Sequence, residues 1–496
     1  MEPFLFHTGQ SAGSLSWFKT ARNWVWQELY VRRLNTPAGY FLLALLTLFL
    51  SREIALRGWQ SAGIVFFCIL LVPSFITALL HVRFGLFLLL SGAFLLPGIR
   101  RLTGDTPIGI FMYAGVISLL FGTFLQQVYR HDWSFAKHPL SVAILGWCFY
   151  LLVELINPWA GSQIAWIYGF WGLGGMLLVY YPALYAFREL DHLRRLTLVW
   201  LILAVFAAAY NLVIYPSAIF DINQWLHLST EVQNAFVFFS DRASGNVVLC
   251  VSALVALIFA LGKGMSRNQQ LAGISGAAFI LLALALMGSR SALALIPAGL
   301  LFLSLITLNR RWLVAGLIFT VAGIALWFYT TEQATWGSLR QSLNPFASPN
   351  FVVTQDNESY IQPYIRRHPI GGGVGSTGEY GERFAPDTLL SEFFPESGYV
   401  RIAAETGWLG LLLFAGVLFM ALAAGVNGYF RVKSPRIRTW YAAFLTATFV
   451  LAIGNYSTQV LVSLPGNVLF AISMAAMVRL RHMDELLPSE TSETVS

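Results

Sequence analysis

Residues 271–308 read LAGISGAAFILLALALMGSRSALALIPAGLLFLSLITL, and Arg290 is the one charged side chain among them. Two apolar runs, 271–288 and 291–308, are separated only by Ser289-Arg290. Each approaches the roughly 20 residues that a helix needs to cross about 30 Å of hydrocarbon. Neither shows the alternating segments of about ten residues that mark a barrel strand. We therefore expect two spanning helices joined by a very tight turn, with the Arg290 guanidinium at or just below the membrane surface.

The same pattern extends in both directions. Further apolar runs fall near 38–50, 61–80, 83–97, 107–127, 139–156, 164–187, 196–216 and 244–262, then 312–330, 399–426, 438–457 and 459–479. Of the 496 residues 57% are hydrophobic and 11% charged, against about 25% charged in a soluble domain. There is too little polar surface to cover a water-soluble globule of this size. The expected fold is all-α, a polytopic transmembrane helical bundle of about fourteen spans.

Lys and Arg favour the cytoplasmic side of short loops. With both termini inside, the cytoplasmic segments gather Arg188, Arg194, Arg195, Lys263, Arg267, Arg310, Arg311, Arg431, Lys433, Arg436, Arg438, Arg479 and Arg481, whereas the short outer loop 157–163 has no Lys or Arg. This orientation puts 217–243, the Ser289-Arg290 joint and the long hydrophilic loop 331–398 outside. The resulting segments are 1–37 (cytoplasmic or interfacial), 38–330 (spans), 331–398 (large periplasmic loop), 399–480 (spans) and 481–496 (polar tail). Residues 14–33 mix Trp17, Phe18, Trp24, Trp26 and Tyr30 with Lys19, Arg22, Arg32 and Arg33, which suits an interfacial helix. The first long apolar run starts only near Pro37, so no cleavable signal peptide is expected. Cys68, Cys148 and Cys250 lie in apolar runs without metal-ligand spacing and read as small buried hydrophobes. No metal or other cofactor is expected.

A structureless loop as long as 331–398 would be unusual, so it should fold and carry function; residues 357–368 are expected to form a short helix interrupted at Pro363. Ionisable residues near it are the candidates for chemistry. Arg290 at membrane depth is either functional or a snorkelling interface arginine. Arg242 follows Asp241 at the mouth of the eighth span; it pairs with that aspartate or, with Arg290, offers phosphate-matching guanidinium forks. Arg366, Arg367 and His368 precede the glycine-rich stretch Gly371-Gly372-Gly373-Val374-Gly375, which allows close backbone approach or simply turns. It lacks the nucleotide-loop pattern. A helix starting near Ser397 would put Arg401 and Glu405 at i and i+4 on one face, either as an ion pair or as ligand contacts, with Tyr399 beside them and Glu396 at the helix mouth.

In order and spacing these segments, DRASG (241–245), Ser289-Arg290, HPIGGGVG (368–375) and ESGYVRIAAETGWLG (396–410), resemble the O-antigen ligase and polymerase family of bacterial envelope membrane proteins, over roughly residues 200–460. The resemblance implies a metal-independent glycosyltransferase in the inner membrane. It would act at the periplasmic face on undecaprenyl-diphosphate-linked glycans. Ligases pass the glycan to lipid A-core; polymerases extend one glycan with another. The implied partners are that lipid-linked glycan, the bilayer and a chain-length regulator or flippase, with no nucleic acid. Family arginines map onto Arg242 and Arg290, and onto Arg366 or Arg367. Aligning the family's aromatic with Tyr399 places Glu396 where many ligases have histidine, which favours the polymerases. Arg242 and Arg290 would then stabilise the departing diphosphate and Glu396 would act as general base. Arg366, Arg367, His368, Tyr399, Arg401 and Glu405 would contact substrate. A lipid-glycan transporter, a peptidoglycan polymerase and a structural partner protein are the competing readings; transporters generally place polar groups at mid-membrane.

Overall fold

The computed structural model describes residues 36–57, 75–103, 109–131, 133–214, 242–262, 266–286, 290–308, positions 310, 313–314, 316–318 and 321, and residues 361–485. The interfacial helix expected at 14–33, the segment 217–241, most of the run 61–80, the first part of the long loop and the end of the tail lie outside the described residues. The chain divides into two units, Met1–Pro73 and Ser74–Ser496. In the first, α1 spans Pro37–Arg57, and the Thr36 hydroxyl accepts the Gly39 N–H at its start, meeting one of the donors that a helix N-terminus leaves unpaired.

Among its described residues the second unit consists of helices joined by turns and loops, with no strand. In chain order come α2 (Val82–Thr103), α3 (Gly109–Arg130), α4 (Pro139–Val153), α5 (Gln163–Leu173), α6 (Tyr180–Ala186), α7 (Leu190–Ile214), α8 (Arg242–Leu261), α9 (Arg267–Leu286), α10 (Arg290–Thr307), α11 (Gly378–Phe384), α12 (Gly398–Arg431), α13 (Pro435–Ser457) and α14 (Gly466–Glu485). Proline starts α4 and α13, where its missing N–H costs nothing. Among the described residues eight helices are long and apolar enough to cross a membrane, and the bent pair α5–α6 makes a ninth if counted as one span.

Two expected spans differ in detail. The run 164–187 is not one straight helix: α5 and α6 meet at 45° through a 3₁₀ turn at Gly175–Val179, at the Gly174-Gly175 pair, where helical propensity is low. The run 459–479 becomes helical only at Gly466, because residues before it form turns that end at Pro465, which has no N–H to donate. The helical stretch 361–367 passes through Pro363, so the interruption expected there is absent.

Helices α8 and α13 form the centre: 89% and 83% of their apolar windows are buried, against 28% for α12. Helix α8 packs on α9, α10 and α13, and α13 on α12 and α14; Phe259 tilts against Trp440 and Phe302 stacks on Phe449 across these contacts. Outer helices expose apolar stripes instead. On α4 and the turn after it, Val142, Leu145, Phe149, Leu152 and Ile156 recur at helical spacing, Val142 70% and Ile156 81% exposed, as a lipid-facing surface requires.

The packing sets which helix ends share a level. Gly454 lies against Val247, and Gly299 against Leu254 and Val450. Gly273, early in α9, lies against Ala256 and Ala260, late in α8, so α9 runs antiparallel to α8. Only residues 287–289 separate α9 from α10, so α10 runs with α8, and α13 is antiparallel to both. Their ends at Arg242, Arg290 and Ser457 lie at one end of the bundle, where α12 also starts, since the Gly398 N–H donates to the Thr458 carbonyl at 2.9 Å.

Candidate functional site

Two motifs that read as separate in the sequence are one structure. Helix α12 is broken at Gly407, whose φ of 71° and ψ of −178° are not helical. A broken helix leaves carbonyls without donors, which is costly away from water. The glycine-rich segment supplies the donors: Gly372 N–H to Ala404 O and Gly373 N–H to Glu405 O, each 2.9 Å, while Leu409 N–H reaches back to Pro369 O at 3.2 Å. The approach is so close that a Cβ on Gly407 would sit 2.0 Å from the Pro369 oxygen, and one on Gly375 (φ 79°) 2.2 Å from the Ala165 oxygen of α5. What the glycines admit is the chain's own backbone.

Glu405 is fully buried and takes three donors. Its Oε2 accepts the Gly375 N–H at 2.7 Å; its Oε1 accepts the Thr377 hydroxyl at 2.5 Å and Arg401 Nε–H at 2.9 Å. A buried carboxylate persists only when paired and hydrogen-bonded in this way. On the other side of the break, the Asn157 amide donates to Glu154 Oε2 at 2.7 Å and to the Ile370 carbonyl at 3.1 Å; the Tyr150 hydroxyl donates to the Thr406 carbonyl at 2.7 Å. The described part of the loop also has a small core of its own, in which Ile361, Leu390 and Phe393 pack on Ala404 of α12.

Beside this assembly opens a cleft of about 860 Å³. One wall comes from the loop, with Thr377, Glu379, Tyr380, Phe394 and Glu396. A second comes from the bundle end, with Ala243, Ser244, Arg401, Ser457, Gln459 and Asn467; a third from α2, α3 and α5, with Leu96, Tyr113, Tyr168 and Trp171. Arg401 spans two functions. Its Nε is tied to Glu405, and its Nη1 donates to Gln459 Oε1 at 2.8 Å, while the Gln459 amide donates to the Pro395 carbonyl beside Glu396.

The expected site residues thus separate. Glu396, exposed, and Arg401 line the cleft. Arg242 is the first residue of α8, directly before the cleft residues Ala243 and Ser244, and Arg290 is the first of α10 at the same end of the bundle; the side chains of both lie outside the described residues. Glu405 faces the glycine-rich segment, is fully buried, does not line the cleft and is hydrogen-bonded to Arg401. Arg366 and Arg367 are exposed and are not cleft residues. His368 stacks on Tyr364 at 4.0 Å, meets Trp159 edge-on at 5.2 Å and has Nδ1 2.8 Å from the Tyr364 carbonyl. Burial pushes the Tyr364 hydroxyl pKa up. Tyr399 donates its hydroxyl to the Ala452 carbonyl at 2.6 Å, holding α12 to α13. Sequence reasoning missed Glu379, Gln459 and the aromatic wall. The polar run Asn455-Tyr456-Ser457-Thr458-Gln459 was a signal for Gln459; nothing local marked the other residues.

Fold and site define a class: a polytopic membrane protein with a folded loop docked on a broken helix, over a cleft at one end of the bundle. The family model of O-antigen ligase matches residues 275–415, from α9 through the glycine-rich segment and the break in α12, and over that stretch the chain is similar to the O-antigen ligases. No curated protein matches it.

Proposed function

We propose that the cleft transfers a glycan from undecaprenyl diphosphate to the end of a second glycan, polymerising O-antigen or exopolysaccharide repeat units at the periplasmic face of a bacterial inner membrane. The observation that carries this reading is the pairing of Glu396 and Arg401 in one cleft, at the bundle end where α8 and α10 start with Arg242 and Arg290. The acceptor hydroxyl oxygen attacks the anomeric carbon and gives its proton to the Glu396 carboxylate. The bond from that carbon to the diphosphate oxygen breaks, its electron pair leaves with the diphosphate, and the anomeric centre inverts. Arg242 and Arg290 meet the charge that develops on the leaving group. Arg401, fixed by Glu405 and Gln459, orients the glycan.

The family's description favours a second reading, in which the same site passes the glycan to lipid A-core; Glu396 in the place of the ligase histidine favours polymerisation. Turnover of the purified protein with an undecaprenyl-diphosphate-linked repeat unit separates them: a ladder of lengthened lipid-linked glycan is expected without added lipid A-core. Glu396→Gln should lose about 10²–10⁴-fold in turnover, the usual contribution of a positioned base, and Glu396→Asp less. Near-normal turnover per folded molecule in the Gln variant would reduce Glu396 to a residue favouring the α12 helix dipole.

A further inference from the structure

Helix α5 carries Tyr168 and Trp171 three residues apart, so both lie on one face, about 4.5 Å apart along the axis. Each ring is held by a partner from another element. Trp171 stacks on Tyr113 of α3 with centroids 4.8 Å apart and planes 8° from parallel; Tyr168 stacks on two rings of α11, Phe384 at 5.2 Å and 6° and Tyr380 at 5.6 Å and 26°. Tyr113, Tyr168, Trp171 and Tyr380 are half-buried and line the cleft. The same lining carries Gln459, Ser463 and Asn467, and the buried Ser463 hydroxyl has no hydrogen-bond partner among the described residues.

Flat, fixed aromatic surfaces in one cleft with amides and hydroxyls match a ligand with one apolar face and a polar rim. A pyranose ring has that form: its axial C–H bonds make one face apolar and slightly positive, complementary to the negative face of an aromatic ring, and its hydroxyls radiate around the edge. An isoprenoid tail would satisfy the rings but not the amides; a diphosphate would satisfy the amides and hydroxyls but not the rings. Because the rings are fixed by their partners in advance, little side-chain entropy is lost on binding.

We infer that the Tyr113–Trp171 and Tyr168–Tyr380 pairs form a saccharide platform that seats two successive sugar rings of the glycan, with Gln459, Ser463 and Asn467 reading their hydroxyls. This deepens the reading of the cleft as a glycosyl-transfer site and rests on it. The platform is tested by binding, without turnover. The probe is the saccharide released by mild acid from the polyprenyl-diphosphate-linked pool of the same cells, labelled at its reducing end, in equilibrium dialysis against the full-length protein in nanodiscs.

The wild-type protein binds the probe, Trp171→Ala weakens it about tenfold, the ceiling for one aromatic contact, and Trp171→Phe stays within about threefold because the flat ring remains. Affinity for undecaprenyl diphosphate without sugar is the same in all three. Tyr168→Leu is read identically, so a Trp171→Ala protein that fails to insert leaves the platform testable. Wild-type protein that does not bind the probe, an aliphatic variant that binds as wild type, or an equal loss toward the sugar-free lipid would each overturn the platform; the last would make this wall a lipid-tail groove. Lost turnover in Glu396→Gln with saccharide binding intact keeps the two readings separable.

Discussion

Replacing Glu405 by glutamine keeps the side-chain shape and removes the charge. Three donors converge on the carboxylate, two on Oε1 and one on Oε2. Glutamine has one acceptor oxygen. With that oxygen at the Oε1 position, its NH₂ group faces the Gly375 N–H, donor against donor, and the buried N–H is left unpaired at about 1–3 kcal/mol. With the oxygen at Oε2, the NH₂ group faces the Arg401 guanidinium, which is worse. In either placement Arg401 loses its counter-charge. Breaking a buried ion pair costs about 3–5 kcal/mol, and because the Arg401 side chain is 15% exposed, water takes up part of that charge. The expected loss is about 3 kcal/mol, the low end of that range, a change of roughly 150-fold in the equilibrium. Total stability is of the order of 5–15 kcal/mol, so the variant inserts and folds but opens locally where the glycine-rich segment docks. Denaturant unfolding in mixed micelles gives the loss, and limited proteolysis within 369–397 gives its location. Adding Arg401→Met removes the orphaned charge, so the double variant should lose less than the sum of the singles, by about 0.5–3 kcal/mol. A loss under about 1 kcal/mol in Glu405→Gln, with unchanged proteolysis, would refute the clamp.

Two further outcomes follow from the bundle end. Arg242→Ala and Arg290→Ala should each abolish polymer formation at normal protein level, and lysine should rescue poorly because a point charge cannot reproduce the bidentate fork; full activity in both alanine variants removes their phosphate-binding role. Topology reporters should read external at Thr377 and cytoplasmic at Asn268 and Ser434, and a cytoplasmic reading at Thr377 would overturn the placement of the cleft.

Helix existence was legible because a spanning run is set by local composition. The runs expected at 244–262, 271–288 and 438–457 meet helices at Arg242–Leu261, Arg267–Leu286 and Pro435–Ser457. The pairing of Arg401 with Glu405 was legible for the same reason, since i, i+4 spacing is local. What escaped was every contact made across sequence distance. Gly407 in an apolar run reads as a tolerated helix glycine; only the Gly372 and Gly373 N–H groups, more than thirty positions earlier in the numbering, make a break there stable. Gly375 and Thr377 as Glu405 partners are 30 and 28 residues away. The aromatic wall comes from α3 and α5, before the 200–460 stretch that carries the family resemblance, so a motif reading could not reach it.

The break in α12 also explains why the loop and the cleft belong to one device. An unbroken α12 would satisfy its own carbonyls and need nothing from residues 369–375. The break frees the Ala404 and Glu405 carbonyls, and the loop's N–H groups take them up. The loop is thereby held at the first two turns of the helix, where Arg401 and Glu405 sit. Glu405 then uses its side chain to fix both partners at once, Gly375 and Thr377 on the loop and Arg401 on the helix. The Arg401 guanidinium reaches Gln459, Gln459 reaches the Pro395 carbonyl, and the next residue is Glu396. A single hydrogen-bonded chain therefore runs from the buried carboxylate to the residue beside the proposed base. Loosening the loop would displace the proposed base and Arg401 together, so variants of Glu405 should lower turnover through positioning even though Glu405 does not line the cleft.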